Sequence, residues 1–426
     1  MKQKIITIFL LLLLLFFIIC PTILANSDSE TSLNIGSEAA ILIDSSTGKI
    51  LYGKNEEEKK FPASTTKIMT AILTIETCNL DDKVTVSYNA ISIVPSGYAV
   101  ANLQVGEELT VEQLLQVLLI YSANDAANVL AEHVGGTIES FATMMNTKAH
   151  DIGCKNTHFT NPSGKHDDDH YTTAHDLALI MQYCMKNSTF RAIAGSKSCI
   201  IPQTNKYDQR VFNTTNELLK VDTRNVDSNY YYKYAIAGKT GYTSQAKNCL
   251  VSCANKDNFE LICVVLGAGQ DYRGLSYRFL DAKNLFEYGY NTYTIKKIRE
   301  QGAIAKQIDI LNATKETKSL DLLISNDIVA VVKQSESEND VLPDIKINDN
   351  LSAPISESSV VGTITYAIDG VEYKSDLKAS HSVEKSNSIW IIIQLLLAVI
   401  VIYILYKMLC PKKIKKRKKK SKYLYH

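Results

Sequence analysis

The sequence predicts a mixed α/β domain with an antiparallel sheet and an inserted helical subdomain, then a small all-β domain and an apolar C-terminal helix. Three observations predict it. Strand-like runs stand near residue 40 and again after residue 234, with helical periodicity between them, so the first and last strands of one sheet are expected to be neighbours. From about Ile295 to Ser380 the texture changes to short apolar runs separated by polar turns. Ile389 to Tyr406 is apolar apart from Gln394; roughly 20 helical residues cross about 30 Å of hydrocarbon.

The segments follow in order. Met1-Lys2-Gln3-Lys4, the apolar run Ile5–Cys20, Pro21 and the small Ala25 read as an export signal over 1–25. The first domain is expected over 35–292. Ala39–Asp44 and Lys49–Tyr52 flank the turn Ser45-Ser-Thr-Gly48 as two strands. Pro62 opens a helix through Ile68, Ile72 and Glu76. Leu109 to Gly135 reads as helices broken near Ser122-Ala-Asn-Asp125, and Thr173-Ala-His-Asp176 as a capping box opening a helix to Met185. Strands over Tyr234–Lys239, Asn248–Ala254 and Phe259–Gly267 precede a helix over Ser276–Tyr288. The all-β domain occupies 295–380, a tether 381–388, a membrane helix 389–409 and a basic tail 410–426.

Between Pro411 and Lys422 that tail holds nine basic residues, which the positive-inside rule places in the cytoplasm with the preceding body outside. Its expected partner is anionic lipid. Subtracting those nine from 46 Lys plus Arg leaves 37 against 45 Asp plus Glu. A mildly acidic body argues against a nucleic-acid partner. Seven of the nine cysteines lie in the body, an odd number that cannot all pair.

Ser64 and Lys67 are three apart, one face of a helix. The spacing lets the amine take the hydroxyl proton, provided burial and nearby positive charge keep it neutral. The same spacing recurs at Ser46/Lys49, Ser244/Lys247, Ser375/Lys378 and Ser382/Lys385, so position at a helix start singles out Ser64. Ser122-Ala-Asn124 supplies Ser-x-Asn at a helix break, and Lys239-Thr-Gly241 occurs once, on a strand. Together these form the three-motif set of penicillin-binding proteins and class A β-lactamases.

Phe61-Pro-Ala-Ser-Thr-Thr-Lys-Ile-Met-Thr70, Ser122-Ala-Asn-Asp-Ala-Ala127, Asn161-Pro-Ser-Gly164 with His170-Tyr-Thr-Thr-Ala174, and Gly238-Lys-Thr-Gly-Tyr-Thr243 resemble the D-alanyl-D-alanine carboxypeptidases among low-molecular-weight penicillin-binding proteins. Ala353-Pro-Ile-Ser and Val361-Gly resemble that family's accessory C-terminal domain. The resemblance implies a penicillin-binding/β-lactamase-like catalytic fold and a penicillin-sensitive enzyme that trims peptidoglycan stems ending in D-Ala-D-Ala. It implies Ser64 as nucleophile, Lys67 as general base and Ser122 as proton relay. Asn124 would orient Lys67 and the substrate amide, and Lys239 and Thr240 would hold the terminal carboxylate. Gly241 would leave the strand edge clear for substrate, and the backbone N–H groups of Ser64 and Tyr242 would bind the oxyanion. The family commonly has His at the place of Tyr242, so tuning of rate or pH dependence is expected there. Arg278 matches a family arginine near the carboxylate pocket. β-Lactams are the expected covalent inhibitors; no metal or cofactor is implied.

Three rival readings follow from the same residues. His166-Asp-Asp-Asp-His170 resembles a metal cluster in composition, although an acidic run is more simply a solvated turn. A β-lactamase would share the motifs, but no Glu-x-x-x-Asn deacylation element lies between the second and third. A non-catalytic wall-binding or penicillin-sensing module would have no need of intact Ser64, Lys67, Ser122 and Lys239.

Overall fold

The computed structural model describes residues 33–220, 230–335, 341–386 and 388–409; the expected export signal and the basic tail lie outside these. The chain divides into two compact units, Met1–Asn291 and Thr292–His426.

In the first unit, strands β1 (Ala39–Asp44), β2 (Ile50–Lys54), β3 (Ala235–Thr243), β4 (Lys247–Lys256) and β5 (Phe259–Ala268) form one sheet of order β2-β1-β5-β4-β3. Each neighbouring pair is antiparallel, and β1 joins β5 in the register Ala39↔Leu266 through Asp44↔Leu261. The chain ends of this region are therefore adjacent, as the sequence predicts. All six residues of β1 are buried, as are the consecutive residues Leu261–Ala268 of β5. Continuous rather than alternating burial means that both faces of the central strands are covered.

The helical subdomain is inserted between β2 and β3. At its centre α1 (Lys67–Thr77) is buried without interruption from Lys67 to Thr74, so the motif lysine enters the interior on a helix with no wet face over that stretch. Around it lie α2 (Asn124–Gly135), α3 (Ile138–Ile152) and α4 (Ala174–Cys184). Thr173 caps α4 by accepting from the Asp176 N–H. The reciprocal half of the expected capping box is replaced, because the Asp176 carboxylate accepts from the Lys155 and Asn156 N–H groups and the Thr157 hydroxyl instead. A long helix, α5 (Tyr277–Thr292), closes the unit, and its buried Asp281 holds the segment leading into β1 by accepting from Gly36 N, Ser37 N and Ser37 Oγ.

The second unit is all-β apart from its last helix. A five-stranded antiparallel sheet has the spatial order Ile304–Asp309, Ser319–Ile324, Val371–Ala379, Val360–Ile368, Asp344–Ile347, while Tyr293–Arg299 pairs with Ile328–Lys333. Alternate residues point into a core of Leu320, Leu322, Ile324, Ile364, Tyr366 and Leu377. The final helix, Ser388–Leu409, has a mean hydropathy of 2.4 over Ile392–Leu409 and is exposed along that stretch. Its length and composition suffice to cross a membrane.

Candidate active site

Ser64 sits in a 3-10 turn, Ala63–Thr66, that precedes α1 rather than in the α-helix itself. The difference from the predicted helix start has a steric cause. Ala63 adopts a φ of 47°, a left-handed conformation seldom taken by a residue with a side chain, and it is held by close backbone on two sides. A Cβ on Gly164 would lie 1.8 Å from the Ala63 carbonyl oxygen, and one on Gly241 would lie 2.9 Å from Pro62 O and 3.0 Å from Ser64 N. What Gly241 admits is thus the nucleophile turn itself, packed against β3. Gly164 does the same from the other side.

Lys67 is completely buried. Its Nζ lies 2.8 Å from Ser64 Oγ, 2.9 Å from Asn124 Oδ1 and 2.6 Å from the Ser163 carbonyl oxygen. A neutral amine has two hydrogens and one lone pair. The two carbonyl oxygens take the hydrogens, which leaves the lone pair facing the Ser64 hydroxyl. Burial, reinforced by the charge of Lys239 and opposed by Asp125, holds this amine well below the usual lysine range.

Ser122 follows a π-helical turn, Val117–Tyr121, and takes a φ of 73°. That break re-aims its hydroxyl, which lies 2.8 Å from Lys239 Nζ. Lys239 also donates to the Thr240 carbonyl at 2.8 Å, and its amine is lowered to about 7 by burial and by Arg278. Thr240 Oγ1 meets Thr215 Oγ1 at 2.6 Å, and Arg278 Nη1 donates to Gly241 O at 3.2 Å. Arg278 Nε has no partner among the described residues. The ring of Tyr242 stands at the rim, 63% exposed. All nine residues singled out in the sequence as catalytic or substrate-binding therefore meet around one site. Seven of them, Ser64, Ser122, Asn124, Thr240, Gly241, Tyr242 and Arg278, line a cleft of about 480 Å³, with Lys67 and Lys239 buried behind it.

Four contributors were not assigned a role by the sequence. The Ser163 carbonyl accepts from Lys67, and Thr215 braces Thr240. The Ala99 carbonyl accepts from Asn124 Nδ2 at 2.8 Å, which fixes the amide so that its oxygen faces Lys67. Asp125, 1% exposed, accepts from Ala101 N at 3.0 Å and Leu103 N at 3.1 Å. It straps the loop bearing Tyr98 and Ala99 to the helix break, and its carboxyl is raised by burial. Asp125 and Ser163 left a trace, as members of the Ser122–Ala127 and Asn161–Gly164 motifs, but with no role attached; backbone carbonyls have no side-chain signature to read.

His170 is also committed to the site's frame. Its Nδ1 accepts from Thr160 N at 3.0 Å, so Nε2 bears the hydrogen and donates to Thr66 Oγ1 at 2.8 Å, two residues from Ser64. Burial lowers its pKa to about 3, which keeps it neutral. His166 makes a T-shaped contact with the Phe61 ring and lies 3.5 Å from the exposed Asp168 carboxylate. Among the described residues no three His, Cys, Asp or Glu side chains converge as metal ligands, and the seven body cysteines are all free thiols.

Sequence comparison adds to this geometry. The family described as "D-alanyl-D-alanine carboxypeptidase" matches residues 25–270, and "Penicillin-binding protein 5, C-terminal domain" matches 293–385. The chain is 32% identical to the D-alanyl-D-alanine carboxypeptidase DacF of Bacillus subtilis, covering 91% of this chain and 96% of that one. It is 29% identical to DacA of Haemophilus influenzae, over 81% and 84%. Among solved structures, penicillin binding protein 5 from Haemophilus influenzae superposes with a TM-score of 0.65 at 27% identity, covering 83% of this chain and 98% of that one.

Proposed function

The chain belongs to the D-alanyl-D-alanine carboxypeptidase family of serine peptidases, and from that premise we propose that Ser64 cleaves the terminal D-alanine from peptidoglycan stem peptides through an acyl-enzyme. The observation that carries the assignment is the hydrogen-bond set of Lys67, whose two carbonyl acceptors leave its lone pair for the Ser64 proton.

Neutral Lys67 takes the proton from Ser64 Oγ, and the oxygen attacks the carbonyl carbon of the penultimate D-alanine. The tetrahedral oxyanion is received by the Ser64 and Tyr242 N–H groups, and the placing of both residues on one cleft supports that pairing. The C–N bond then breaks. Ser122, held by Lys239, relays to the leaving amine the proton that Lys67 took from Ser64, which returns Lys67 to its neutral form and Ser122 to its hydroxyl, and D-alanine departs. Water, deprotonated in turn by Lys67, hydrolyses the ester and frees the trimmed peptide and Ser64. Lys239, Thr240 and Arg278 hold the terminal carboxylate, whose charge favours the cationic form of Lys239. Asn124 aligns Lys67 and the substrate amide. β-Lactams acylate the same oxygen.

The apolar helix Ser388–Leu409, with the basic run 411–422 after it, supports a single C-terminal span that leaves the catalytic unit outside the cytoplasm. The basic-apolar start over 1–25 supports export. Chains deleted from 389 onward are expected to leave the membrane fraction for the medium.

The deciding experiment is D-alanine release from an acyl-D-Ala-D-Ala peptide, with the penicillin adduct mapped by mass. Release that stops in Ser64→Ala, and an adduct on Ser64, are expected; a Ser64→Ala protein that still releases D-alanine overturns the assignment.

A further inference from the structure

The catalytic cleft continues past Asn124. A second cavity of about 520 Å³ shares Tyr98 and Asn124 with it and extends along α2 toward Gly136. Three residues of α2 line this cavity at intervals of four, Asn124, Asn128 and Glu132, so they form one stripe down a single helix face. The stripe starts at the residue that touches Lys67 and ends on a carboxylate.

Glu132 is a built acceptor. Its oxygens take hydrogen bonds from the Ser87 hydroxyl and from Asn89 Nδ2 at 2.6 Å, and no lysine or arginine pairs with it among the described residues. Two neutral donors fix the carboxylate in place without neutralising it, and the side chain is only half-buried. The remaining charged residues of the cavity are Glu139, Asp167 and Lys165, which leaves it net negative. The opposite end of the combined groove is cationic, with Lys239 and Arg278. A bound peptide is thus offered positive groups for its carboxyl end and a negative group upstream.

Building on the function proposed above, we propose that Glu132 binds the side-chain amine of an aliphatic diamino acid immediately before the D-Ala-D-Ala pair, making the second cavity a specificity subsite. The reach agrees. Asn124 and Glu132 are eight residues apart, about 12 Å along the helix. From a scissile carbonyl held beside Asn124, one extended residue is roughly 3.6 Å and a four-carbon amine about 6 Å further, so with a hydrogen bond of about 2.8 Å the ammonium spans the interval to the carboxylate.

The test compares two peptides, acetyl-L-Lys-D-Ala-D-Ala with its ε-amine free and the same peptide ε-acetylated, on wild type and Glu132→Gln. Glutamine keeps the shape and the Ser87 contact while removing the charge. Wild type is expected to favour the free amine roughly five- to tenfold in kcat/KM, with the preference shrinking as salt rises. E132Q is expected to lose that preference while matching wild type on the acetylated peptide and in penicillin acylation. Equal rates on the two peptides by wild type, which needs no variant to fold, or an undiminished preference in E132Q, overturn the subsite while leaving the carboxypeptidase assignment standing. Absence of D-alanine release from both peptides overturns the assignment itself.

Discussion

Two serine–lysine pairs border the cleft, and both close at 2.8 Å: Ser64 with Lys67, and Ser122 with Lys239. Both lysines are fully buried. Their surroundings make them different reagents. Lys67 sees two carbonyl oxygens besides its serine, together with a second lysine, and is pushed well below the usual range. Lys239 has one carbonyl besides its serine, stands nearer Arg278, and is lowered only to about 7. One amine is kept neutral as a base. The other stays close to the pH at which a substrate carboxylate can charge it. Distance alone does not separate the two roles; the partners of each nitrogen do.

Replacing each lysine by arginine breaks this comparison most sharply, since a guanidinium is always charged. Lys67→Arg is expected to lower the rate of penicillin acylation by about 10³-fold or more, because no lone pair remains for the Ser64 proton. Lys239→Arg keeps the positive charge and is expected to show its defect chiefly as a higher KM for D-Ala-D-Ala peptide, on the order of tenfold. Stopped-flow acylation and steady-state D-alanine release distinguish the two. Equal losses in both variants would mean that the pairs do one job together.

The pH profile separates the pairs without a mutation. With the Lys239 amine at about 7 in the free enzyme, raising the pH through 7 removes the charge that receives the carboxylate. KM is expected to rise by up to about tenfold per pH unit above that value. Burial holds Lys67 well below its usual range, so kcat is expected to stay level over the same interval. A kcat that climbs with pH toward 10 would show that Lys67 titrates as an ordinary lysine.

How much of this was legible depended on where the information resides. The order of elements, the adjacency of the first and last strands and the nine site residues were readable because apolar periodicity and side-chain motifs are written in residue type. Lys67's neutrality was readable only as a requirement. The Ser163 carbonyl that meets its amine, and the Ala99 carbonyl that turns the Asn124 oxygen toward it, are backbone groups, delivered by a loop and by a strap whose geometry no spacing encodes. The motif implies Gly241 as clearance for substrate, but no spacing tells that the atoms nearest its missing Cβ belong to Pro62, Ala63 and Ser64, some 180 residues earlier in the sequence. The capping box at Thr173 closed by half because Asp176 had three tertiary donors available.

Asp125 sharpens the comparison from the Lys67 side. It is the residue after Asn124, and it anchors the loop whose Ala99 carbonyl orients that amide. Asp125→Asn turns an acceptor of three backbone N–H groups, those of Ala101, Leu103 and Ala126, into a side chain with a donor facing at least one of them. A loss of about 1–3 kcal/mol in stability is expected, read as a lower Tm. If the strap serves the Lys67 pair, acylation by penicillin slows roughly five- to tenfold in the folded variant while peptide KM changes little. A KM effect as large as that of Lys239→Arg would assign the strap to the carboxylate end instead.

The smallest effect is expected at the rim. Tyr242 stands where the family commonly has His, yet its assigned task, binding the oxyanion, belongs to its N–H and not its ring. The ring is 63% exposed, and a surface substitution of this kind is worth about 0.5 kcal/mol or less. Tyr242→Ala and Tyr242→His are therefore expected to retain kcat/KM for D-Ala-D-Ala peptide within about threefold, and to acylate with penicillin at similar rates. Tyr242→Pro, which removes the N–H while leaving a ring-sized apolar group, separates backbone from side chain. If alanine fails as badly as proline, the ring itself meets the substrate, and the site has a third functional part beside its two serine–lysine pairs.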